Sequence, residues 1–177
     1  MSNYYDIFLT EMGWVGAVKS DAGIRRTTFP FFSYDKCWQH LFKWITNATR
    51  SQGPLSEIRE FLQGYFGGES LYFVNPLDYL DTSLFNRDVW DECRKIPIGE
   101  TRSYSSLAFS IMRPKAARAV GQAMANNPLP IVIPCHRVIS KSGSLGGFCK
   151  GEYNLKLKQK LLDLEKRTLG LAKPIIG

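Results

Sequence analysis

The hydrophobic pattern changes its period part-way along the chain, and this change limits the folds that are possible. In the first thirty residues, apolar and polar side chains alternate in three strand-length segments, Tyr4–Thr10, Trp14–Lys19 and Gly23–Phe29. Turn residues separate these segments, so the pattern predicts an antiparallel meander. Apolar residues at helical spacing then predict helices over Asp35–Thr49 and Leu55–Phe66.

Residues 69–82 contain Asn75-Pro76 and show no helical period, so we interpret them as an interdomain linker. The chain is therefore predicted to be a mixed α/β (α+β) protein with two domains. The first domain covers residues 1–82 and carries the antiparallel sheet with its helices. The second covers residues 83–177 and is mostly helical.

The second domain begins with a helix capped by Ser83. A short helix near Ser103, followed by one that Pro114 opens and that runs to about Ala125, predicts a helix-turn-helix. A strand is expected over Leu129–Ile133. An amphipathic helix from Glu152 to about Arg167, with Leu157, Leu161 and Leu164 on one apolar stripe, completes the domain.

The charges are divided unevenly between the two predicted domains. Residues 1–82 carry seven Lys and Arg against nine Asp and Glu, whereas residues 83–177 carry sixteen against seven. The net charges of −2 and +9 favour a polyanion partner for the second domain. No apolar run is long enough to span a membrane, and Met1–Asp6 lacks the features of a signal peptide. We therefore expect no membrane association and a cytoplasmic location, with the nucleoid or, in a eukaryote, in the nucleus.

The four cysteines are spaced without a Cys-x-x-Cys pair, which predicts free thiols in a reducing compartment: Cys37, Cys93, Cys135 and Cys149. We expect buried hydrophobic roles for most of them and a reactive role for one. Cys37 and His40 form the only local pair of metal-ligand types, which is too few for a structural zinc site. The sequence therefore predicts no metal and no cofactor.

The segment Lys115–Ala125 is unusual for its small side chains, with Arg118 in the middle. Small residues let a helix backbone approach closely, as entry into a minor groove about 6 Å wide requires. A single arginine there could fill a vacated position in the base stack. The alternative is a core helix, because alanine and glycine also permit close helix–helix contact.

Cys135 is followed directly by His136, the only histidine in the second domain. Neighbouring side chains usually point apart, so contact between sulfur and imidazole is not assured. A bridging water could still let His136 accept the thiol proton and create a thiolate nucleophile. A bare Cys-His pair also fits a buried structural cysteine.

The run Pro134-Cys135-His136-Arg137-Val138 resembles the active-site signature of the O6-alkylguanine-DNA alkyltransferases. Further segments match this family, in order along the chain: Tyr104, 114–121, 127–133, 143–148, Leu161-Leu162 and Glu165. The resemblance covers about residues 84–167. It implies a ribonuclease H-like sheet with helices in the N-terminal domain.

The resemblance implies a role for each matching residue. Cys135 is expected to accept the alkyl group, His136 to act as a water-mediated base, and Glu165 to orient His136. Asn127 is expected to brace the turns around the site. Tyr104 is expected to help rotate the nucleotide phosphate and to donate to N3 of the departing guanine.

Further residues are expected to hold the DNA and the alkylated base. Arg118 is expected to replace the flipped base, beside other residues of the DNA-binding segment: Lys115, Ala116, Ala117, Ala119 and Gly121. The expected pocket consists of Tyr104, Met124, Cys135, Val138, Phe148, Cys149 and Lys150. The backbone carbonyls of Cys135 and Val138 are expected to accept from the guanine amine. Cys149 stands where many members of the family have Ser, and Lys150 where some have Gly.

The implied function is single-turnover repair of O6-alkylguanine by a monomer that binds double-stranded DNA through the minor groove. O4-alkylthymine is a further candidate substrate. An alternative is a DNA-binding protein that recognises the lesion without repairing it, although such relatives lack the acceptor cysteine. Another alternative is a cysteine hydrolase, which needs a separate histidine; His40 is the only other one.

Overall fold

The computed structural model describes residues 3–45, 47–79, 82–146 and 155–170. The chain divides into two compact units. Unit 1 takes its residues from 1–81 and from 128–132, and unit 2 from 82–127 and from 133–177. The predicted mixed α/β class is confirmed, because unit 1 holds a sheet and unit 2 is mostly helical. No helix among the described residues is both long and apolar enough to cross a membrane.

In the part of unit 1 that the structure describes, four strands form a sheet in the order β3-β2-β1-β4. Their bounds are β1 (Asn3–Thr10), β2 (Gly13–Ser20), β3 (Gly23–Thr27) and β4 (Ala48–Arg50). β2 pairs antiparallel with both β1 and β3, so the predicted meander is confirmed. β4 pairs parallel with β1, so the expectation of a purely antiparallel sheet is wrong.

The predicted helix over Asp35–Thr49 is wrong in its second half. The helix α1 (Tyr34–Leu41) is followed by a 3₁₀ turn, Phe42–Trp44, and then by β4. Pairing with the open edge of β1 outweighs the helical spacing of the apolar residues there. The second predicted helix is confirmed as α2 (Ser56–Phe66), which buries five apolar side chains.

The predicted linker is wrong for residues 76–78, which pair with β3. The Ile24 amide donates to Pro76 O at 3.0 Å, and the Asp78 amide donates to Ile24 O at 2.8 Å. Arg25 and Asp78 add an ion pair with 2.7 Å between nitrogen and oxygen. These residues therefore extend unit 1.

Residues 128–132 also pack with unit 1, and the predicted strand over Leu129–Ile133 is wrong. Thr27 donates to two carbonyls of this segment, from its amide to Pro128 O at 3.1 Å and from its hydroxyl to Pro130 O at 2.8 Å. Ile131 has a φ of 74°, which no extended strand allows and which is strained for a β-branched residue. The domain boundary at residue 82 stays a prediction.

Among its described residues, unit 2 has four helices: α3 (Leu84–Arg94), α4 (Tyr104–Ser110), α5 (Ala117–Ala125) and α6 (Leu155–Thr168). Two short parallel strands, β5 (Arg102–Ser103) and β6 (Val138–Ile139), lie among them. The predicted cap is confirmed, because the Ser83 hydroxyl accepts from the Asn86 amide at 3.3 Å. The predicted helix start at Glu152 lies outside the described residues.

Pro114 does not open α5, contrary to the prediction. It is the second residue of a tight turn in which the Ala116 amide donates to Arg113 O at 2.9 Å. Proline suits both this position and a first helical position, because each needs the same φ. The pair α4 and α5 is present as two short helices, and the helix-turn-helix itself stays a prediction.

Candidate active site

The three residues Cys135–Arg137 form a single 3₁₀ turn, and all three are buried. The Cys135 amide donates to Ile133 O at 2.7 Å, and the Arg137 amide donates to Pro134 O at 2.9 Å. A 3₁₀ turn has three residues per turn, so its successive side chains point in different directions. Cys135 and His136 therefore face different parts of the interior of unit 2.

The carboxylate of Glu165, on α6, collects the polar side chains that follow Cys135. It accepts from His136 Nε2 at 2.7 Å and from Arg137 Nη2 at 2.8 Å. Arg137 Nε adds contacts of 3.0 Å to each carboxylate oxygen, and the Gly99 amide donates at 2.9 Å. Arg137 also donates to Ile96 O at 2.6 Å. The buried carboxylate is thus paired with a cation and with several hydrogen-bond donors.

These contacts fix the protonation states of the pair. Burial by itself would raise the pKa of Glu165. The hydrogen bonds and charges of His136 and Arg137 outweigh this effect and lower the pKa to about 2. An ionised carboxylate only accepts hydrogen bonds, so the hydrogen of a neutral His136 must lie on Nε2. The basic lone pair of His136 then lies on Nδ1.

Burial is also the main reason that the pKa of His136 is lowered. The hydrogen bond and charge of Glu165 oppose this shift, whereas the positive charges of Arg137 and Lys158 add to it. His136 is therefore neutral at pH 7, since its ordinary pKa is already 6.5. A neutral imidazole in a fixed tautomer can accept a proton from a thiol, directly or through a water.

Lys158 is fully buried in the same region. Its ammonium group donates to Val138 O and to Leu145 O, both at 2.6 Å. The nitrogen lies 5.8 Å from the centre of the Tyr104 ring. This side chain links α6 to β6 and to the segment that precedes residue 147.

Asn127 braces the approach to the turn. Its side-chain amide donates to Ile133 O at 2.8 Å, the same carbonyl that accepts from the Cys135 amide. The position of Cys135 is therefore tied to the end of α5 through one shared acceptor.

Tyr104 is the first residue of α4, and two glycines leave space for its ring. A Cβ added at Gly146 would stand 3.1 Å from the ring, and one at Gly121 would stand 3.9 Å away. Gly146 also has a φ of 65°, which favours glycine. The ring is thus close to both α5 and the segment that ends at residue 146.

The helix α5 has two faces. Val120, Ala123 and Met124 are buried, and the Trp90 indole donates to Ala123 O at 2.9 Å. Arg118 and Ala119 are exposed on the other face. One face therefore packs in the core of unit 2, as the core-helix alternative requires, and the other remains available to a ligand.

Comparison with known proteins identifies the family. Residues 84–167 match the family model described as 6-O-methylguanine DNA methyltransferase, DNA binding domain. The constitutive methylated-DNA–protein-cysteine methyltransferase of Bacillus subtilis is 36% identical over 165 residues, which are 93% of this chain and 96% of that protein. The chain belongs to the methylated-DNA–protein-cysteine methyltransferase family.

Two further relatives agree with this family. The inducible enzyme of the same name from Bacillus subtilis is 47% identical over 142 residues, which cover 77% of each chain. A crystal structure of the Mycobacterium tuberculosis OGT in complex with DNA is 34% identical and superposes with a TM-score of 0.77. That match covers 93% of this chain and 94% of the other.

In this member of the methyltransferase family, unit 2 contains every described residue that the sequence singled out for the site: Tyr104, Lys115, Ala116, Ala117, Arg118, Ala119, Gly121, Met124, Asn127, Cys135, His136, Val138 and Glu165. The contact between His136 and Glu165 was expected and is present. The expected pocket residues Phe148, Cys149 and Lys150 lie outside the described residues.

The two carbonyls expected to bind the guanine amine already accept hydrogen bonds inside the protein. Val138 O accepts from Lys158, and Cys135 O accepts from the Val138 amide. Each carbonyl oxygen has a second lone pair, so a further donor can still bind.

Sequence reasoning assigned no role to Arg137, Lys158 or Gly99. A signal for Lys158 exists, because it precedes Glu165 by seven residues, with buried Leu161 and Leu162 between them. This spacing of i, i+3, i+4 and i+7 marks one face of a helix. The predicted stripe used Leu157 and Leu164, which are only half-buried.

The other cysteine–histidine pair has structural surroundings. Cys37 Sγ is buried 3.7 Å from the Thr28 hydroxyl, and the exposed His40 packs its ring against Phe31 with 5.2 Å between centroids. Among the described residues, no three His, Cys, Asp or Glu side chains are grouped as metal ligands.

Proposed function

We propose that this chain repairs alkylated DNA by transferring an alkyl group from O6 of guanine to the sulfur of Cys135. The observation that carries the proposal is the buried hydrogen bond between Glu165 and His136, directly after Cys135 in one turn. The family to which the chain belongs supports the same reaction. The lesion-recognising alternative has no use for an intact acceptor with its base.

The first step removes the thiol proton. Glu165 holds the imidazole of His136 with its hydrogen on Nε2, so Nδ1 accepts the proton, relayed by a bridging water. The resulting imidazolium is stabilised by the ionised Glu165, and the thiolate of Cys135 is the nucleophile. Burial keeps His136 neutral at rest and thus able to accept this proton.

The second step is a substitution at the alkyl carbon. The thiolate forms the sulfur–carbon bond while the carbon–O6 bond breaks, and the bonding pair leaves with guanine. Guanine recovers a proton at N3, for which the Tyr104 hydroxyl is the proposed donor. The proton that His136 took from the thiol is released to solvent, which returns one to Tyr104. The thioether product does not revert, so each molecule reacts once. The substitution transfers no net electrons, so it needs no oxidant or reductant.

The O6 atom lies inside the duplex, so the nucleotide must leave the base stack before it reacts. Residues 101–151 contain no Asp or Glu and seven Lys and Arg, which suits a polyanion. The exposed face of α5 is the proposed contact, entering the minor groove with Arg118 in the place of the flipped base. We propose that the chain acts as a monomer. We also propose that it associates with the nucleoid or, in a eukaryote, lies in the nucleus.

Stoichiometry tests the reaction. The protein is mixed with an excess of duplex that contains one radiolabelled O6-methylguanine, and the transferred label is counted over time. The expected result is a burst of about one methyl per molecule, with no later turnover. Cys135→Ala should bind the duplex and transfer nothing. Repeated turnover by the wild-type chain, or transfer by Cys135→Ala, would contradict the proposal.

Arg118 separates binding of DNA from chemistry. Arg118→Ala should slow repair in duplex DNA far more than reaction with free O6-benzylguanine, which needs no flipping. The matched control is Arg87→Ala on α3, which should affect neither substrate by more than about twofold. Equal losses on both substrates would mean that Arg118 is structural.

A further inference from the structure

The C-terminal end of α4 exposes two large apolar side chains. Phe109 is 72% exposed and Met112 is 80% exposed, and the two are three positions apart in sequence. The next residues of α4 toward its start, Leu107 and Ala108, are fully buried. The core of unit 2 therefore uses this helix but not these two side chains.

The backbone conformation at Met112 disfavours any side chain, so folding alone does not explain why a methionine stands there. Met112 has a φ of 58°, and its amide donates to Phe109 O at 2.9 Å, while the Arg113 amide donates to Ala108 O at 2.8 Å. This pair of bonds is the Schellman ending of a helix, in which the residue with positive φ is usually glycine. A methionine there is strained relative to glycine, because its Cβ lies too close to the following carbonyl oxygen.

The charges around the two side chains indicate a partner. Arg113 and Lys115, in the turn that follows, are both exposed, and so is Arg118 on α5. The nearest acidic residues in sequence are Glu100 and Glu152, so this stretch carries cations alone. Apolar side chains with a purely cationic rim fit duplex DNA, whose phosphates flank apolar sugar and base edges.

We propose that Phe109 and Met112 form an apolar wedge that packs against sugar and base edges of duplex DNA. Arg113 and Lys115 hold the phosphates on either side of it. The wedge rests on the proposed function in that DNA is the partner, and it adds a contact surface outside the reacting residues. A contact with DNA would explain why a methionine occupies this strained position, which neither burial nor backbone preference explains.

Binding to an undamaged duplex tests the wedge without any transfer step. Fluorescence anisotropy with a labelled duplex is expected to give a Kd raised about tenfold for Met112→Gly and for Phe109→Ser. Each substitution removes an apolar side chain that would be partly buried against the DNA in the complex. Thermal unfolding should show a raised Tm for Met112→Gly, because glycine relieves the strain. Loss of affinity together with a gain of stability cannot come from misfolding.

A matched control is Leu84→Ser at the start of α3, where the side chain is 77% exposed, and it should leave the Kd unchanged. The proposal is overturned if both wedge variants bind the duplex as the wild-type chain does. It is also overturned if the wedge variants lose self-association, or binding to vesicles of phosphatidylserine and phosphatidylcholine, instead of duplex affinity. The duplex is undamaged, so failure of methyl transfer to Cys135 and failure of the wedge are separate results.

Discussion

Each unit buries a carboxylate that pairs with arginine. The two carboxylates differ in their other hydrogen-bond partners. In unit 1, Asp6 on β1 pairs with Arg59 and, at 3.6 Å, with Arg50. In unit 2, Glu165 pairs with Arg137 and also accepts from His136. Both carboxylates are fully buried.

The arginines differ as well. The Arg59 and Arg50 side chains are 23% and 53% exposed, whereas the Arg137 side chain is 7% exposed. A carboxylate–arginine pair alone holds a strand in place. The same pair with a titratable imidazole on the carboxylate can also support a proton transfer.

The largest expected effect comes from removing the charge of each carboxylate. Glu165→Gln should slow methyl transfer at least about hundredfold, because His136 loses the anion that stabilises its protonated form. It should also lower the free energy of unfolding by about 3 kcal/mol, because Arg137 stays buried without a counter-charge. Transfer kinetics and urea unfolding measure the two effects.

Asp6→Asn is the matched variant in unit 1. It should lower the free energy of unfolding by about 1–3 kcal/mol, because buried hydrogen-bonding capacity is lost, and leave the transfer rate of the folded protein unchanged. The comparison fails if Asp6→Asn slows transfer as much as Glu165→Gln, or if Glu165→Gln reacts at the wild-type rate.

The second prediction concerns pH. Burial lowers the pKa of folded His136 below 6.5, so the unfolded chain takes up this proton at a higher pH than the folded chain does. The free energy of unfolding should therefore fall below pH 6.5, by up to about 1.4 kcal/mol per pH unit from this group. The pKa of Glu165 is about 2 in the folded chain, against an ordinary value of 4.5. Its ionised form therefore stabilises the folded chain fully above pH 4.5, and this stabilisation is lost as the pH falls from 4.5 to 2.

Urea unfolding of the wild type and of His136→Gln, from pH 7.5 to 5, isolates the histidine. The variant should show a shallower pH dependence, and Asp6→Asn should keep the wild-type slope. An unchanged slope in His136→Gln would mean that this histidine is protonated equally in the folded and unfolded states.

The third prediction concerns Lys158, which binds two carbonyls near the turn of Cys135. Lys158→Met should slow reaction with free O6-benzylguanine about tenfold, because Val138 O and Leu145 O lose a charged donor. Lys160→Met, two residues along α6 and exposed, is the control and should react at the wild-type rate. Equal rates for both variants would show that the buried ammonium group does not position the site.

The smallest effect is expected at Cys149. The family resemblance implies that the backbone N–H of residue 149 contacts guanine O6, a role that serine can also fill. Cys149→Ser should therefore keep the transfer rate within about twofold. The opposing idea is a second acceptor, but a thiol with an ordinary pKa of about 8.5 is mostly protonated at pH 7. A methyl on Cys149 in the reacted protein, or a Cys135–Cys149 disulfide that blocks repair, would support that idea.

The sequence predicted the parts of the fold that depend on local pattern. The meander follows from alternation, and α2 and α3 follow from apolar spacing with turn and capping residues at their ends. It did not predict β4, because three residues carry no periodic signal and pair with β1 only once the chain has folded. The positive φ of Ile131 was equally hidden, since a β-branched residue disfavours that conformation and tertiary contacts impose it.

For the site, the resemblance identified Cys135, His136 and Glu165, and the structure adds how the last two meet. Arg137 and Lys158 were missed because charged side chains are usually exposed, so composition alone assigns them to the surface. Their burial depends on a carboxylate and two carbonyls that come from distant parts of the sequence.

We propose that the site in unit 2 directs the alkyl group to one sulfur. Peptide mapping by tandem mass spectrometry, after reaction with one equivalent of O6-methylguanine duplex, reports on all four cysteines at once and so shows which sulfur reacts. Burial raises the pKa of Cys37 to about 11 and that of Cys93 well above its ordinary value, so neither should react. The expected result is a single methyl on Cys135. A methyl on any other residue, or an unmodified chain beside repaired DNA, would contradict the claim.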